Sequence, residues 1–378
     1  MATFVEIKKA LRSQEPDSII PIVQSFIRSE EGDYDRVLQQ MMYLAGSEHI
    51  DSTTPLGVIY LDAIRDLLTL YEDVPEDPLP LMKECIRYFS TLDLEEYPKD
   101  LIQVTPADVQ DPVFMGDLEE YVREGEREKA VHEAAKLLMM MDNHFYLVEV
   151  LTEIAASCVV ETGMPLILAG SVLKSVEYVG SSKYKTLVYL LTDYLSRLQI
   201  GWDVRNLEQG FDREIIFAEY YAKAFANKGI YGLNITVLAQ AQQIWESVRI
   251  KEETIQQYIQ RFIEQKFDPM ISNTSFQNYT PKEGSIHFIA DALQGGKMED
   301  ASQMILSYAQ RGESLGALFR VFVRLALENK QPIGPHDLIL LNAYRTAVAY
   351  LNPPEQYQAL LESAQLVHRL HVREIIDK

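Results

Sequence analysis

Part of the chain repeats itself, and this repetition restricts the possible folds more than any other feature of the sequence. Segment 117–155 aligns with segment 288–326 without a gap. After one inserted residue the match continues, and residues 166–168 align with residues 338–340, both reading Leu-Ile-Leu. A repeated helical unit cannot bury its apolar stripe alone, so the units must pack on one another. The repetition therefore predicts a chain built from duplicated units.

A fainter signature extends the repeat. It consists of an alanine near the end of one helix, a leucine 11 or 12 residues later, and a bulky residue 12 beyond that leucine. The alanine would allow two helices to approach closely, and the bulky residue would close the far end of the core. A simpler explanation stays open, because any two amphipathic helices align to some extent through their shared periodicity. The four copies are Ala45, Leu56, Leu68; Ala155, Leu166, Tyr178; Ala222, Leu233, Trp245; and Ala326, Leu338, Tyr350.

The spacing of apolar residues is helical along nearly the whole chain. Three- and four-residue steps place apolar side chains on one helix face. Strand signals are scarce, since no alternating run is bounded by an Asn-Gly or Asp-Gly turn. We predict an all-α fold with two tandem pseudo-equivalent halves built from helix-loop-helix repeats. The predicted divisions are an N-terminal half at 1–190, a C-terminal half at 191–353 and a C-terminal helix at 354–378. An example of the periodicity is Leu137, Met141, Phe145, Val148 and Leu151.

The charge of the chain excludes some classes of partner. The 56 acidic and 35 basic residues give a formal net charge of −21. Nucleic acid and anionic membranes attract concentrated Lys and Arg, so both are disfavoured as partners. The most apolar region, 147–179, is interrupted by acids and a proline and indicates buried helices. The first residues lack the apolar core of a signal peptide, so we expect a soluble cytoplasmic protein.

Residues that often carry chemistry form no recognisable motif here. Cys85 and Cys158 lie in apolar helical stretches without a CxxC spacing, which predicts buried thiols. Phosphate-binding glycine loops, nucleophile elbows and zinc-protease motifs do not occur. His368, His371 and Glu374 are spaced by three on the last helix, which would suit a metal. A solvated helix face explains them more simply, and we predict no metal site.

Long connections and numerous tyrosines are the remaining features of note. Proline-rich breakers interrupt the helices at 71–80, 97–113 and 267–285. Long connections in a compact helical protein are often functional or flexible. The chain also has 21 tyrosines, which either pack helices through their rings or line the wall of a pocket. We favour packing.

One module resembles a known family. The stretch ETGMPLILAGSVLKSVEYVG, preceded by a helix reading EGEREKAVHEAAKLL, is similar to the helical modules of questin oxidase-like proteins and to related helical regions fused to Rieske domains. The resemblance implies a segment that leads into the second helix and consists of His-Pro, three apolar residues, one residue of any type and a second His. Met164 and Gly170 stand where that pattern would place histidines, and His336 and Asn342 stand there in the second copy. The resemblance therefore implies a shared fold. Of the histidines that the family pattern requires, this chain keeps at most one.

These observations support two functional predictions. The first is a protein that binds a protein partner or a small apolar ligand in a groove between helices, because no catalytic constellation is visible. The alternative is a questin oxidase-like oxidoreductase, either active or degenerate, with a pocket between its halves. His336, Asn342 and Tyr344 would line that pocket, with Met164 and Gly170 as the degenerate counterpart. A helix N-terminus would lower the pKa of His336 and keep it neutral. The sequence specifies no cofactor, substrate or oligomeric state.

Overall fold

The computed structural model describes most of the chain. Its described residues are 3–29, 33–49, 55–95, 97, 99–105, 108–109, 112–141, 143–158, 163–180, 183–198, 200, 213–247, 252–266, 280, 282–328 and 333–376, without the side chains of 100, 101, 213–216, 252, 263–266 and 372–376. The helices are α1 (Phe4–Ser13), α2 (Pro16–Ile27), α3 (Tyr34–Ala45), α4 (Gly57–Leu68), α5 (Leu79–Phe89), α6 (Lys99–Ile102), α7 (Met115–Glu124), α8 (Arg127–Met140), α9 (Phe145–Ser157), α10 (Met164–Val179), α11 (Lys185–Ser196), α12 (Arg213–Ala226), α13 (Leu233–Glu246), α14 (Glu252–Lys266), α15 (Ile286–Gln294), α16 (Met298–Gln310), α17 (Leu315–Leu327), α18 (Pro335–Tyr350) and α19 (Glu355–Ile376).

The all-α prediction is confirmed. Two short 3₁₀ turns, at Thr69–Tyr71 and Ile230–Gly232, and one isolated β-bridge accompany the α-helices in the described residues. The apolar pattern over 137–151 belongs to two helices rather than to one continuous face, because Met141 is extended and ends α8. No helix in the part of the chain that the structure describes is both long and apolar enough to cross a membrane.

The two aligned segments form the same succession of helices. In the first segment the helices are α7 to α10, and in the second they are α15 to α18. Gly125 follows α7 with φ 80°, and its aligned partner Gly296 follows the end of α15 with φ 71°. Glycine adopts this left-handed conformation without steric cost and so ends a helix. The wider equivalence of two tandem halves stays a prediction.

The first compact unit comprises residues 1–62, 86–210 and 240–266. Its central helix is α10, which packs against α3, α9 and α11. The side chains of α10 are buried on almost every side, as a helix that is apolar all round requires. Further contacts join α8 to α7 and α11, and α14 to α9.

The second compact unit comprises residues 63–85, 211–239 and 267–378. Its central helix is α19, which packs against α12 and against each helix from α15 to α18. Most side chains of α18 from Leu338 to Val348 are buried. The two units are interleaved along the chain, and the predicted divisions at residues 190 and 353 stay a prediction.

Candidate functional site

His336 lies at the second position of α18, directly after the proline that begins the helix. Pro335 suits this place because its φ is already helical and its missing N–H is not needed at a helix start. The carboxylate of Asp337 accepts a hydrogen bond from the Gly334 N–H at 3.1 Å. The local sequence Gly-Pro-His-Asp therefore fixes where the His336 ring leaves the helix.

The ring of Tyr231 stacks on the ring of His336. The two ring centroids are 4.5 Å apart and the planes differ by 7°. Tyr231 is 66% exposed, and its φ of 53° and ψ of 21° lie in the left-handed region. This conformation is unfavourable for a residue other than glycine, and such strain is concentrated at functional sites. The stack thus holds an exposed aromatic ring in a strained turn beside His336.

A cleft of about 260 Å³ lies between α18, α19 and the turn that carries Tyr231. Gly232, with φ 73°, allows the turn to approach closely, because a Cβ at this position would lie 2.5 Å from Leu340 Cδ1. The leucines form an apolar surface, and the imidazole and guanidinium provide polar groups. We call this feature the His336 cleft; its lining includes Tyr231, His336, Leu340, Leu366, Arg369 and Leu370.

The charged groups of the His336 cleft differ in their pairing. Lys228 forms an ion pair with Glu362. Arg369 is exposed and has no ion pair among the side chains that the structure describes. Burial lowers the pKa of His336, and the nearby carboxylate of Asp337 opposes this shift. Burial, rather than the helix N-terminus, is therefore the cause of the lowered pKa, and a neutral imidazole can both donate and accept a hydrogen bond.

Asn342 does not line the His336 cleft. It is 8% exposed, and its Nδ2 donates to Asp66 Oδ2 at 3.2 Å. Its Oδ1 accepts a hydrogen bond from Arg345 Nε at 3.0 Å. Asp66 also accepts from Arg65 Nη2 at 2.9 Å. Asn342 therefore satisfies a buried carboxylate and a half-buried guanidinium, which is a structural role within the second unit.

Tyr344 is also part of the core rather than of the His336 cleft. Its side chain is fully buried, and its ring stacks on Phe225 with a centroid distance of 6.4 Å. The hydroxyl has no hydrogen-bond partner in the described part of the chain. Burial raises the pKa of Tyr344, so its hydroxyl stays protonated at neutral pH. Of His336, Asn342 and Tyr344, only His336 reaches the cleft.

Met164 and Gly170 lie on α10 in the first unit, where Met164 is the first residue and is buried. Gly170 lines a smaller cleft of about 170 Å³, together with Lys174 and Gln240. A Cβ on Gly170 would lie 2.1 Å from Gln240 Nε2, so the absent side chain makes room for this amide. The Lys174 ammonium pairs with a carboxylate oxygen of Asp62 at 2.7 Å. In this smaller cleft the Lys174 ammonium is thus already paired, and Gly170 allows α10 to approach Gln240 of α13 closely.

The residues considered as metal ligands do not assemble into a centre within the described part of the chain. No group of three or more His, Cys, Asp or Glu residues there has the geometry to hold a metal ion. The side chain of Glu374 lies outside the described residues, so the proposed trio with His368 and His371 is untested. Cys85 and Cys158 are buried free thiols, as predicted. Burial raises the pKa of Cys158 to about 11, which makes it a poor nucleophile at neutral pH.

Two residues of the His336 cleft were missed in the sequence. The stretch Lys-Gly-Ile-Tyr-Gly at 228–232 signals a tight turn, because glycines flank an exposed aromatic residue. That signal predicts a turn, but it does not predict that Tyr231 meets a ring about a hundred residues later. Arg369 carries no sequence signal of its own on a helix with several other charges.

Comparisons with known proteins give no information about the function of this chain. No family model, no curated protein and no solved structure matches the chain. The resemblance to questin oxidase-like proteins therefore stays a prediction.

Proposed function

We propose that the protein binds a small ligand in the His336 cleft. The observation that carries the proposal is the parallel stack of Tyr231 on His336 beside an apolar surface. An exposed ring held in a strained turn costs free energy, and ligand contact is a common reason for such strain. Apolar walls with a few polar groups are typical of small-molecule sites.

The lining restricts the chemistry of the ligand. Leu340, Leu366 and Leu370 favour an apolar body, and the exposed face of Tyr231 offers a surface for stacking. Arg369 and the neutral ring of His336 can both donate hydrogen bonds to an acceptor group. We therefore propose a compact ligand that is partly apolar and carries a carbonyl or carboxylate.

The choice of a small ligand over nucleic acid follows from charge. A net charge of −21 repels phosphate backbones.

The two buried free thiols suit the reducing cytoplasm, which is the location we propose.

The oxidoreductase alternative stays a prediction. Of the residues that it names in the second copy, His336 alone lines the cleft, and Asn342 and Tyr344 serve the core. No observation favours oxidation over ligand binding.

Native mass spectrometry of the purified protein tests the proposed function. We expect a small molecule to accompany the intact chain, and Tyr231→Ala to reduce its occupancy by removing half of the stack. Tyr146→Ala is a matched control, because Tyr146 is 49% exposed, belongs to the first unit and is not part of the lining of this cleft. Equal ligand occupancy in the wild type and in both variants would place the bound molecule elsewhere and contradict the proposal.

A further inference from the structure

The first unit contains a larger groove, of about 520 Å³. It is bordered by the ends of α1 and α3, by α11, by Leu94, Glu95 and Tyr97, and by α6 with the following Gln103. Tyr97 and α6 fall within the proline-containing breaker at 97–113, where the structure places this short helix. The volume lies within the range of small-molecule sites. We call this feature the tyrosine groove; its lining includes Arg12, Tyr43, Glu95, Tyr97, Lys99 and Tyr189.

Aromatic rings line the tyrosine groove. Tyr97 meets Tyr189 edge to face, with centroids 5.7 Å apart and planes at 62°. Burial raises the pKa of Tyr189 to about 12, and burial also raises that of Tyr97. Both phenols are therefore neutral hydrogen-bond donors that do not repel a negative charge.

The charges of the lining are opposite to those of the chain as a whole. Arg12 and Lys99 are exposed and have no ion pair among the described side chains. Glu95 is the one acid among the described residues of the lining. A carboxylate oxygen of Glu95 lies 2.5 Å from Nδ1 of His49, so this acid already has a partner. In a chain of net charge −21, this groove is a site where an anion meets more cations than acids.

Hydrogen bonds made by residues of the lining hold the walls of the groove in place. Gln14 Nε2 donates to the Leu92 carbonyl at 2.6 Å, which ties the end of α1 to the segment after α5. Thr186 Oγ1 donates to the Tyr43 carbonyl at 3.0 Å, which ties α11 to α3. The Glu95 N–H donates to the Ser47 carbonyl at 2.7 Å. A groove with fixed walls loses little conformational entropy on binding.

We propose that the tyrosine groove is a second binding site, which takes a small aromatic anion such as an aromatic carboxylate or sulfonate. The tyrosine rings contact the planar body of the ligand, and Arg12 and Lys99 interact with its negative group. This site is independent of the His336 cleft, because it uses different residues in a different unit.

Two fluorescent probes test this proposal on the full chain. Anilinonaphthalene sulfonate supplies aromatic rings with a negative charge, and phenylnaphthylamine supplies the same rings without the charge. The double variant R12Q/K99Q should weaken binding of the sulfonate about fivefold, a change expected for two partly solvated charges. It should leave the affinity for phenylnaphthylamine unchanged.

Controls separate this result from other causes. The double variant K9Q/K297Q removes two exposed lysines outside the groove and should leave both affinities unchanged. Circular dichroism checks that each variant is folded. Unchanged sulfonate affinity in R12Q/K99Q would overturn the proposal. It is also overturned if R369Q, in the His336 cleft, abolishes sulfonate binding instead, or if R12Q/K99Q weakens both probes equally.

Discussion

Replacing Glu48 by glutamine should change how the stability of the protein depends on pH. The Glu48 carboxylate accepts hydrogen bonds from the N–H groups of Gly57 at 2.7 Å and Leu56 at 3.3 Å, at the start of α4. Such donors normally favour the charged form. Burial opposes them and prevails, so the pKa of Glu48 rises from 4.5 to about 7.

The sign and size of the effect follow from this shift. A raised pKa in the folded state means that the fold binds a proton more tightly than the unfolded chain does. The resulting stabilisation is fully present below pH 4.5 and is lost as the pH rises through about 7. A shift of this size corresponds to about 3 kcal/mol at most. Because the side chain is only partly buried, we expect about 1–3 kcal/mol.

Urea unfolding at pH 5 and pH 8 measures this effect, and Trp245 in the first unit provides a fluorescence signal. Relative to Glu48→Gln, the wild type should gain about 1–3 kcal/mol of unfolding free energy at the lower pH. Glu120→Gln, at an exposed position on α7, is the control and should follow the wild type. If the wild type instead loses stability relative to Glu48→Gln at low pH, the hydrogen bonds outweigh burial and the reasoning is wrong.

Three further changes test the packing and the site. Gly46→Ala should lower the unfolding free energy by about 1–3 kcal/mol, because the added Cβ would lie 2.8 Å from the backbone carbon of Thr186; an unchanged urea midpoint would refute this contact. Asn342→Ala should cost about 1–3 kcal/mol by removing a partner of buried Asp66, and a neutral result would show that water replaces the amide. NMR titration should give His336 a pKa below 6.5. Because the folded state then binds the proton less tightly than the unfolded chain does, the free energy of unfolding should decrease as the pH falls below 6.5. A pKa above 6.5 would mean that the ring is not desolvated.

The helical content could be predicted from the sequence because it depends on local spacing. Leu137, Val148 and Leu151 are buried as their periodicity requires. The break between them at Met141 was missed, because one extended residue leaves the apolar spacing almost intact. Periodicity thus locates buried faces better than it locates helix ends.

The candidate site was predicted only where a local signal existed. His336 follows a glycine and a proline, which is a local signal for a helix start, and it does line a cleft. Asn342 does not line this cleft and instead donates a hydrogen bond to Asp66, which is 276 positions away in the sequence and so gave no local signal. Tyr231 and Arg369 were missed for the same reason, since spacing cannot show which side chains meet across a unit.

NMR of the histidine rings during titration with a fragment panel tests the proposed His336 cleft most directly. The panel should pair small aromatic carboxylates with their neutral analogues, and His336→Gln should identify the His336 signals. If the cleft binds a small ligand, at least one fragment will shift the His336 signals in a saturable way, and Tyr231→Ala will weaken that shift. If no fragment shifts His336, or if the shift is the same in Tyr231→Ala, the His336 cleft is not the ligand site.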